Sequence, residues 1–291
     1  MSAPFEHIDA RMSTETLNEV VLAEAYKRAL ERFEHDRIQP EDFADLYSAD
    51  VISSDLEYVR RIEERTKRDD AALGYVESAK WGVVLEEVFA DQIELNDWLG
   101  EGVNTRKASR YDDLQNGVDE IIEMAEESSI NYLALAVDVT YSEKKFQKKF
   151  SKIRSEIDSG ELATVKYFAN SEGSFRGRLA KVPRVVVGVN RTTLAELAKL
   201  WIERDNKALA DHPAQFQILD EINVQLESFR KYAERLGRGD IVRIYDRQLA
   251  LLRKIRTSPA KQELRKKSNL AYRQDDEIYL AIRRNAESFA A

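Results

Sequence analysis

The sequence predicts an α+β fold in which a mixed β-sheet core is flanked by helical N- and C-terminal regions. Three observations support this prediction. Apolar residues recur at three- and four-residue steps near both ends of the chain, short β-favouring runs fill the middle, and one helical stretch separates two pairs of these runs. We therefore predict an N-terminal helical region over 1–74, an α/β core over 75–190 and a C-terminal helical region over 191–291.

The N-terminal region is predicted to be helical because its apolar residues lie on one side of a helical repeat. Residues 15–35 place Val21, Ala25 and Leu30 between charged positions, and the stretches 55–67 and 75–98 repeat this pattern. Pro40, among acidic residues, indicates a turn. No convincing strand is predicted before residue 70.

The central region changes its periodicity after Gly100 and Gly102. Four runs favour β-strands: 121–124, 132–141, 163–168 and 184–189. A basic helix is predicted over 143–157 between the second and third runs, and residues 171–178 resemble a glycine-containing hairpin tip. The valines at 185–187 do not alternate with polar residues, which is typical of a strand buried on both faces.

The C-terminal region is predicted to be helical again. Thr192 or Thr193 is positioned to cap a helix that ends at His212, and two longer helices follow on either side of Gly237. From Ser258 onward we expect a basic tail with few apolar positions.

Composition excludes several classes of protein. The 291 residues include no cysteine and three histidines, which excludes a disulfide scaffold and a cysteine-ligated metal site. No apolar run approaches the roughly 18 residues that a spanning helix needs, and the N-terminus lacks the pattern of a signal peptide, so we expect a cytoplasmic protein without membrane contact.

Charge is distributed unevenly along the chain. Residues 1–140 hold 14 basic and 33 acidic residues, whereas 141–184 hold 11 and 5, and 237–291 hold 13 and 7. The two basic blocks could form local positive surfaces inside an acidic chain. Solvated helix faces would produce the same count.

Two carboxylates in the predicted sheet could bind a metal ion. Strand alternation places Asp138 beside Ala134 and Ala136 in an apolar strand, where a carboxylate needs a compensating charge. Asp119, just before the preceding strand, is its nearest companion. With a backbone oxygen of Val139 they would form a partial cage for Mg²⁺ or Mn²⁺.

These residues resemble the PD-(D/E)XK nuclease-like superfamily, whose core is a helix, a three-stranded meander, a helix and a further strand. Asp119 matches the first half of its motif, Asp138 the second, and Glu86 the glutamate of the preceding helix. The resemblance covers roughly residues 75–190. It implies a restriction-endonuclease-like core, a metal site made by Glu86, Asp119 and Asp138, and a Mg²⁺- or Mn²⁺-dependent nuclease that cleaves DNA or RNA phosphodiesters.

One departure from the motif affects the predicted chemistry. The motif lysine is replaced by Thr140, which can donate a hydrogen bond but supplies no positive charge. Lys144 or Lys145, on the following helix, is the candidate replacement. The alternative is a catalytically inactive protein of this fold that serves as a scaffold and binds a protein partner through its C-terminal helices.

Other readings of these residues stay open. Lys144, Lys148, Arg176 and Arg178 are candidate nucleic-acid contacts, although the basic helix could equally brace the acidic first part of the chain. Asp138 could pair with an arginine such as Arg110 instead of a metal. Asp119 could cap a turn, Glu86 could lie on the solvent face of its helix, and the pair 112–113 is expected to be a solvated turn. The sequence does not predict an oligomeric state.

Overall fold

The computed structural model describes residues 14–33, 36–73, 76–126, 129–138, 143–267 and 276–290. The helices in these ranges are α1 (Thr14–Phe33), α2 (Ala49–Leu73), α3 (Val76–Asn96), α4 (Glu143–Ser159), α5 (Arg191–Glu203), α6 (Asn206–Ala210), α7 (Ala214–Arg235), α8 (Gly239–Thr257), α9 (Pro259–Lys267) and α10 (Glu277–Ala290). The strands are β1 (Val103–Lys107), β2 (Glu120–Glu126), β3 (Ser129–Asp138), β4 (Ala163–Ala169), β5 (Arg176–Val182) and β6 (Arg184–Gly188).

Four strands form a mixed sheet in the order β1-β2-β3-β6. The first three are an antiparallel meander, and β6 returns parallel to β3 after α4 and a separate β4–β5 hairpin. A parallel return needs a crossover connection, which α4 and the hairpin supply here. The coarse prediction of a mixed sheet packed with helices is therefore confirmed.

Each face of the sheet is buried in its own apolar cluster. Ile122, Leu133 and Leu135 point to the side where α3, α4 and the C-terminal helices pack, and the neighbouring Ile121 and Ala134 point to the side of the β4–β5 hairpin. Side chains of successive strand residues point to opposite faces, which explains this division. The first cluster also contains residues of α1, α5, α7, α8 and α10.

Three side chains of α7 bind the backbone of β6. Gln225 accepts a hydrogen bond from the Val186 N–H at 2.8 Å and donates one to the Val186 carbonyl at 2.7 Å. Glu221 accepts from the Gly188 N–H at 3.1 Å, and Gln217 donates to the Gly188 carbonyl at 3.3 Å. The spacing of four residues along α7 puts these side chains on one helix face, next to the strand.

Two strands were not predicted. The inward positions of β1 are Val103, Thr105 and Lys107, so a strand with a buried inner face shows no apolar alternation in its sequence. β5 begins at Arg176, inside the segment that resembled a hairpin tip, and its exposed charged residues conceal the strand.

The C-terminal predictions need three corrections. Asn190, not Thr192 or Thr193, caps α5 by accepting a hydrogen bond from the Thr193 N–H at 2.8 Å. The helix predicted to end at His212 stops at Glu203, and the short α6 follows. The expected basic tail with few apolar positions contains α10, which buries one face in the core because its apolar residues recur at helical spacing.

Candidate functional site

A buried charged cluster lies between α3 and the sheet. Lys107 of β1 and Glu120 of β2 are direct cross-strand partners, so their side chains share the face that α3 covers. Lys107 forms an ion pair with Glu87 of α3, and these three side chains are each at most 5% exposed. Burying a charged side chain costs free energy unless a partner compensates its charge, so the pairing within this cluster shows which member is costly to bury.

Glu120 is the least compensated member of this cluster. It is fully buried, and neither carboxylate oxygen has a hydrogen-bond partner. Burial raises the pKa of Glu120 to about 7, and the nearby charge of Asp119 adds to the effect, while Lys107 and Arg37 oppose it.

Glu86 occupies the adjoining position on α3. Its Oε2 lies 3.9 Å from Arg37 Nη2 and makes no hydrogen bond. Burial raises the pKa of Glu86 to about 7, against the opposing charge of Arg37. With only 13% of its side chain exposed, Glu86 does not lie on a solvent face.

Arg37 connects this cluster to the turn that leads into β2. It donates to the Ala108 carbonyl at 2.9 Å and to Asp113 Oδ2 at 3.3 Å. Arg110 binds Asp113 at 2.7 Å and Glu63 at 2.6 Å, so the described partners of Arg110 differ from the suggested Asp138.

The expectation that residues 112–113 form a solvated turn is wrong. Residues Asp112–Asn116 form a π-helical turn in which Asp112 is completely buried. The Asp112 carboxylate accepts hydrogen bonds of 2.7–3.0 Å from Ser109 Oγ, Asn116 Nδ2 and the backbone N–H groups of Lys166 and Tyr167. These bonds attach the turn to β4.

Two cations hold the end of this turn, immediately before Asp119. Lys152 of α4 donates to the Gln115 carbonyl at 2.9 Å, and Arg184 of β6 donates to the carbonyls of Asn116 and Gly117. Gly117 has φ = 65°, and an added Cβ would lie 2.9 Å from Arg184 Nη1. The position therefore favours glycine both for its conformation and for its space.

The remaining predicted site residues lie at the adjoining end of the sheet. The Asp119 N–H donates to the Leu135 carbonyl at 3.0 Å, which places the start of β2 beside the C-terminal part of β3. The backbone of Asp138 pairs with Gly188 of β6, whereas its side chain lies outside the described part of the structure. Thr140 and the side chains of Lys144 and Lys145 also lie outside it.

The carboxylate oxygens of this cluster are chemically suited to bind a hard cation. Oxygen ligands are what Mg²⁺ and Mn²⁺ prefer, and the buried oxygens of Glu86 and Glu120 without hydrogen-bond partners are such groups. Among the described side chains, no group of three or more His, Cys, Asp or Glu residues could hold a metal ion.

A polar cleft of about 600 Å³ opens on the side of α3 and β1. Lys107 and Glu120 belong to its lining, together with Arg37, Arg106 and Arg176. The sequence reasoning missed Lys107 and Glu120. The available signal was strand alternation, since Glu120 shares the face of Ile122, and a charged residue there must be buried.

The predicted nucleic-acid contacts lie on two separate elements. Lys148 is exposed on α4. Arg176 on β5 binds Asp45 at 2.7 Å and lies over the Phe43 ring, whereas Arg178 is exposed on the same strand. The structure thus leaves Lys148 and Arg178 accessible to a phosphate backbone, and Arg176 would first have to exchange its carboxylate partner.

No described helix combines the length and the apolar character needed to cross a bilayer. Comparisons of the whole chain with protein-family models, with curated proteins and with solved structures found no match.

Proposed function

We propose that this protein is a divalent-cation-dependent phosphodiesterase that acts on DNA or RNA and has a restriction-endonuclease-like core. The observation that carries the proposal is the order of elements: α3 with Glu86, the meander β1-β2-β3, the basic helix α4 and, after the β4–β5 hairpin, the parallel strand β6. This order agrees with the core implied by the resemblance to the PD-(D/E)XK superfamily. Fold alone does not determine function, so the proposal also depends on the residues of the site.

In this proposal Glu86, Asp119 and Asp138 hold Mg²⁺ or Mn²⁺. The bound cation would lower the pKa of a water molecule and neutralise charge on the phosphate. The backbone supports the pairing of Asp119 with Asp138, because Asp119 immediately precedes β2 and its N–H binds the Leu135 carbonyl near the end of β3, the strand that finishes at Asp138. The high pKa of Glu86 also means that binding a cation would displace its proton near neutral pH.

The chain must supply positive charge that Thr140 cannot. Lys144 and Lys145 stay the proposed sources, since they begin the helix that follows β3. Lys152 contributes a further positive charge next to the turn that positions Asp119. Burial and the neighbouring Arg184 lower the pKa of Lys152 to about 8, so most of this lysine is still charged at pH 7.

The test is cleavage of labelled single- and double-stranded DNA and RNA with Mg²⁺, Mn²⁺ or EDTA. We expect wild-type protein to cleave with a metal only, and Asp138→Ala to abolish cleavage. Asp211→Ala is the matched control because Asp211 is exposed at the end of α6. Equal activity of wild type and Asp138→Ala would contradict the assignment.

A second candidate is an inactive protein of the same fold that acts as a scaffold. It is favoured by Arg37, whose guanidinium faces Glu86 at 3.9 Å where a cation would need space, and by the loss of the motif lysine at Thr140. Mn²⁺ binding, followed by electron paramagnetic resonance, separates the two. The enzyme should bind Mn²⁺ through Asp138, whereas the scaffold should bind none and cleave nothing.

A further inference from the structure

A groove of about 650 Å³ is lined by the end of α3 and the segment after it, the end of α6, and the turn between α8 and α9. Its volume is within the range of small-ligand sites. Its apolar lining includes Ile255, Pro259 and Leu264. The groove therefore offers apolar surface to a small molecule.

Lys261 of α9 is the unusual residue in this lining. It is only 8% exposed, and its Nζ donates a hydrogen bond to Gln215 Oε1 at 2.5 Å. Its amine forms no ion pair with a side chain in the part of the chain that the structure describes. Lysine is almost never buried to this extent without a charged partner. Because Gln215 is neutral, the positive charge of Lys261 is costly to bury.

Two other hydrogen bonds set the orientation of Gln215. Its Nε2 donates to the carbonyl of Ala210 at 2.9 Å and to that of His212 at 3.0 Å. The Gln215 side chain therefore presents its acceptor, Oε1, to Lys261. A neutral amine can donate one N–H to this acceptor and still keep its lone pair, so the hydrogen bond does not require an ammonium group.

The protonation equilibrium of Lys261 agrees with this geometry. Burial lowers the pKa of Lys261 to about 8, while the charge of Asp97 opposes the shift. At pH 7 roughly 1 in 10 such amines is neutral, against about 1 in 3000 for a lysine of ordinary pKa. Desolvated lysines with a lowered pKa are nucleophiles towards carbonyl groups.

The other charged residues of the groove limit the class of electrophile. When Lys261 is neutral, the described lining holds the carboxylates of Asp97 and Glu101 and the ammonium group of Lys254. This charge balance disfavours an anionic ligand. It favours a neutral compound that gains a positive charge when it reacts.

We propose that Lys261 binds a neutral, apolar aldehyde in this groove as a protonated imine. The Nζ lone pair attacks the carbonyl carbon, the π electrons move to the oxygen, and a proton passes from nitrogen to oxygen to give a carbinolamine. A proton from solvent then lets the hydroxyl group leave as water while the nitrogen lone pair forms the C=N bond. The remaining N–H is available to donate to Gln215 Oε1, and the charge of Asp97 favours the cationic product. This chemistry is independent of the proposed metal site, since it uses neither its carboxylates nor a metal ion.

The test is modification of full-length protein at pH 7 by butanal with sodium cyanoborohydride, which reduces imines to stable amines. Peptide mass spectrometry gives the rate at each lysine, and Lys207 is the internal reference because it is exposed on α6. We expect Lys261 to react at least about tenfold faster than Lys207, since its larger neutral fraction outweighs its burial. Lys261→Arg should remove the fast reaction, whereas the matched control Lys207→Arg should retain it.

Three results would contradict the proposal. A rate at Lys261 no higher than at Lys207 would overturn the nucleophile, and this comparison within the wild-type protein holds even if Lys261→Arg fails to fold. Modification of Lys261 only in urea would mean that the folded groove does not admit an aldehyde. An equal preference for Lys261 over Lys207 with the anionic aldehyde glyoxylate would overturn the neutral ligand. Circular dichroism melting of both variants excludes misfolding as the cause of a lost reaction.

Discussion

Replacing Glu120 by glutamine should change the pH dependence of stability. In the folded protein the carboxyl is fully buried beneath α3 with both oxygens unpaired, and burial raises its pKa to about 7 from the ordinary value of 4.5. The unfolded chain holds the proton less tightly, so this group stabilises the fold only while it is protonated. Its contribution is complete below pH 4.5 and is lost as the pH rises through 7.

The size of the effect follows from the two pKa values. A difference of about 2.5 pH units corresponds to about 3 kcal/mol, because one pH unit is worth about 1.4 kcal/mol. Glu120→Gln removes the titration and keeps the shape of the side chain. The free energy of unfolding of wild type minus that of the variant should therefore fall by about 3 kcal/mol between pH 4.5 and pH 8.

Urea unfolding followed by circular dichroism at several pH values measures this difference. Glu203→Gln is the matched control, since Glu203 is exposed at the end of α5 and its substitution should leave the wild-type profile almost unchanged. A difference between wild type and Glu120→Gln that stays flat or grows with pH would refute the reasoning. It would mean that the folded protein stabilises the Glu120 carboxylate rather than the acid.

Three further substitutions test the packing described above, each by urea unfolding. Gln225→Leu should destabilise the protein by about 2–5 kcal/mol, because it leaves one N–H and one carbonyl of β6 buried without partners; a loss below 1 kcal/mol would contradict the bonding. Gly117→Ala should lower the free energy of unfolding more than Gly173→Ala. Both glycines have φ near 65–68°, but only Gly117 has an arginine atom 2.9 Å from the position of the new Cβ. Equal losses would mean that no contact constrains the turn. Phe289→Ala should lower the free energy of unfolding by about 3–5 kcal/mol, as expected for a fully buried ring, whereas Phe175→Ala, at a half-exposed ring, should lower it much less. Similar small losses for the two variants would place α10 outside the core.

The sequence predicted the central strands and most helices because their apolar residues keep a clear period. β6 is the plainest example, since its consecutive valines match its burial on both faces. β1 could not be found in this way. Its inner face carries Lys107, which becomes acceptable only when Glu87 of α3 pairs with it, and a single segment gives no sign of a partner 20 residues away.

The candidate site was only partly visible for the same reason. Asp119 was selected by its place just before a predicted strand, and Glu86 by its resemblance to the helix glutamate of the superfamily. The described structure puts Glu86 in a buried charged cluster. Asp112 looked like a solvent-facing turn residue because the N–H groups that bind it belong to β4, more than 50 residues later. Long-range pairing of polar groups leaves no periodic trace in the chain.

The polar side chains along α7 have a consequence for association with other molecules. β6 is an outer strand of the sheet, and the backbone groups of Val186 and Gly188 that face outward are already bound by Gln225, Glu221 and Gln217. Exposed strand edges are templates for pairing with another chain. Here a peptide or a second copy could extend the sheet at β6 only by displacing α7. Recognition at this edge of the sheet must therefore use helix surfaces and side chains.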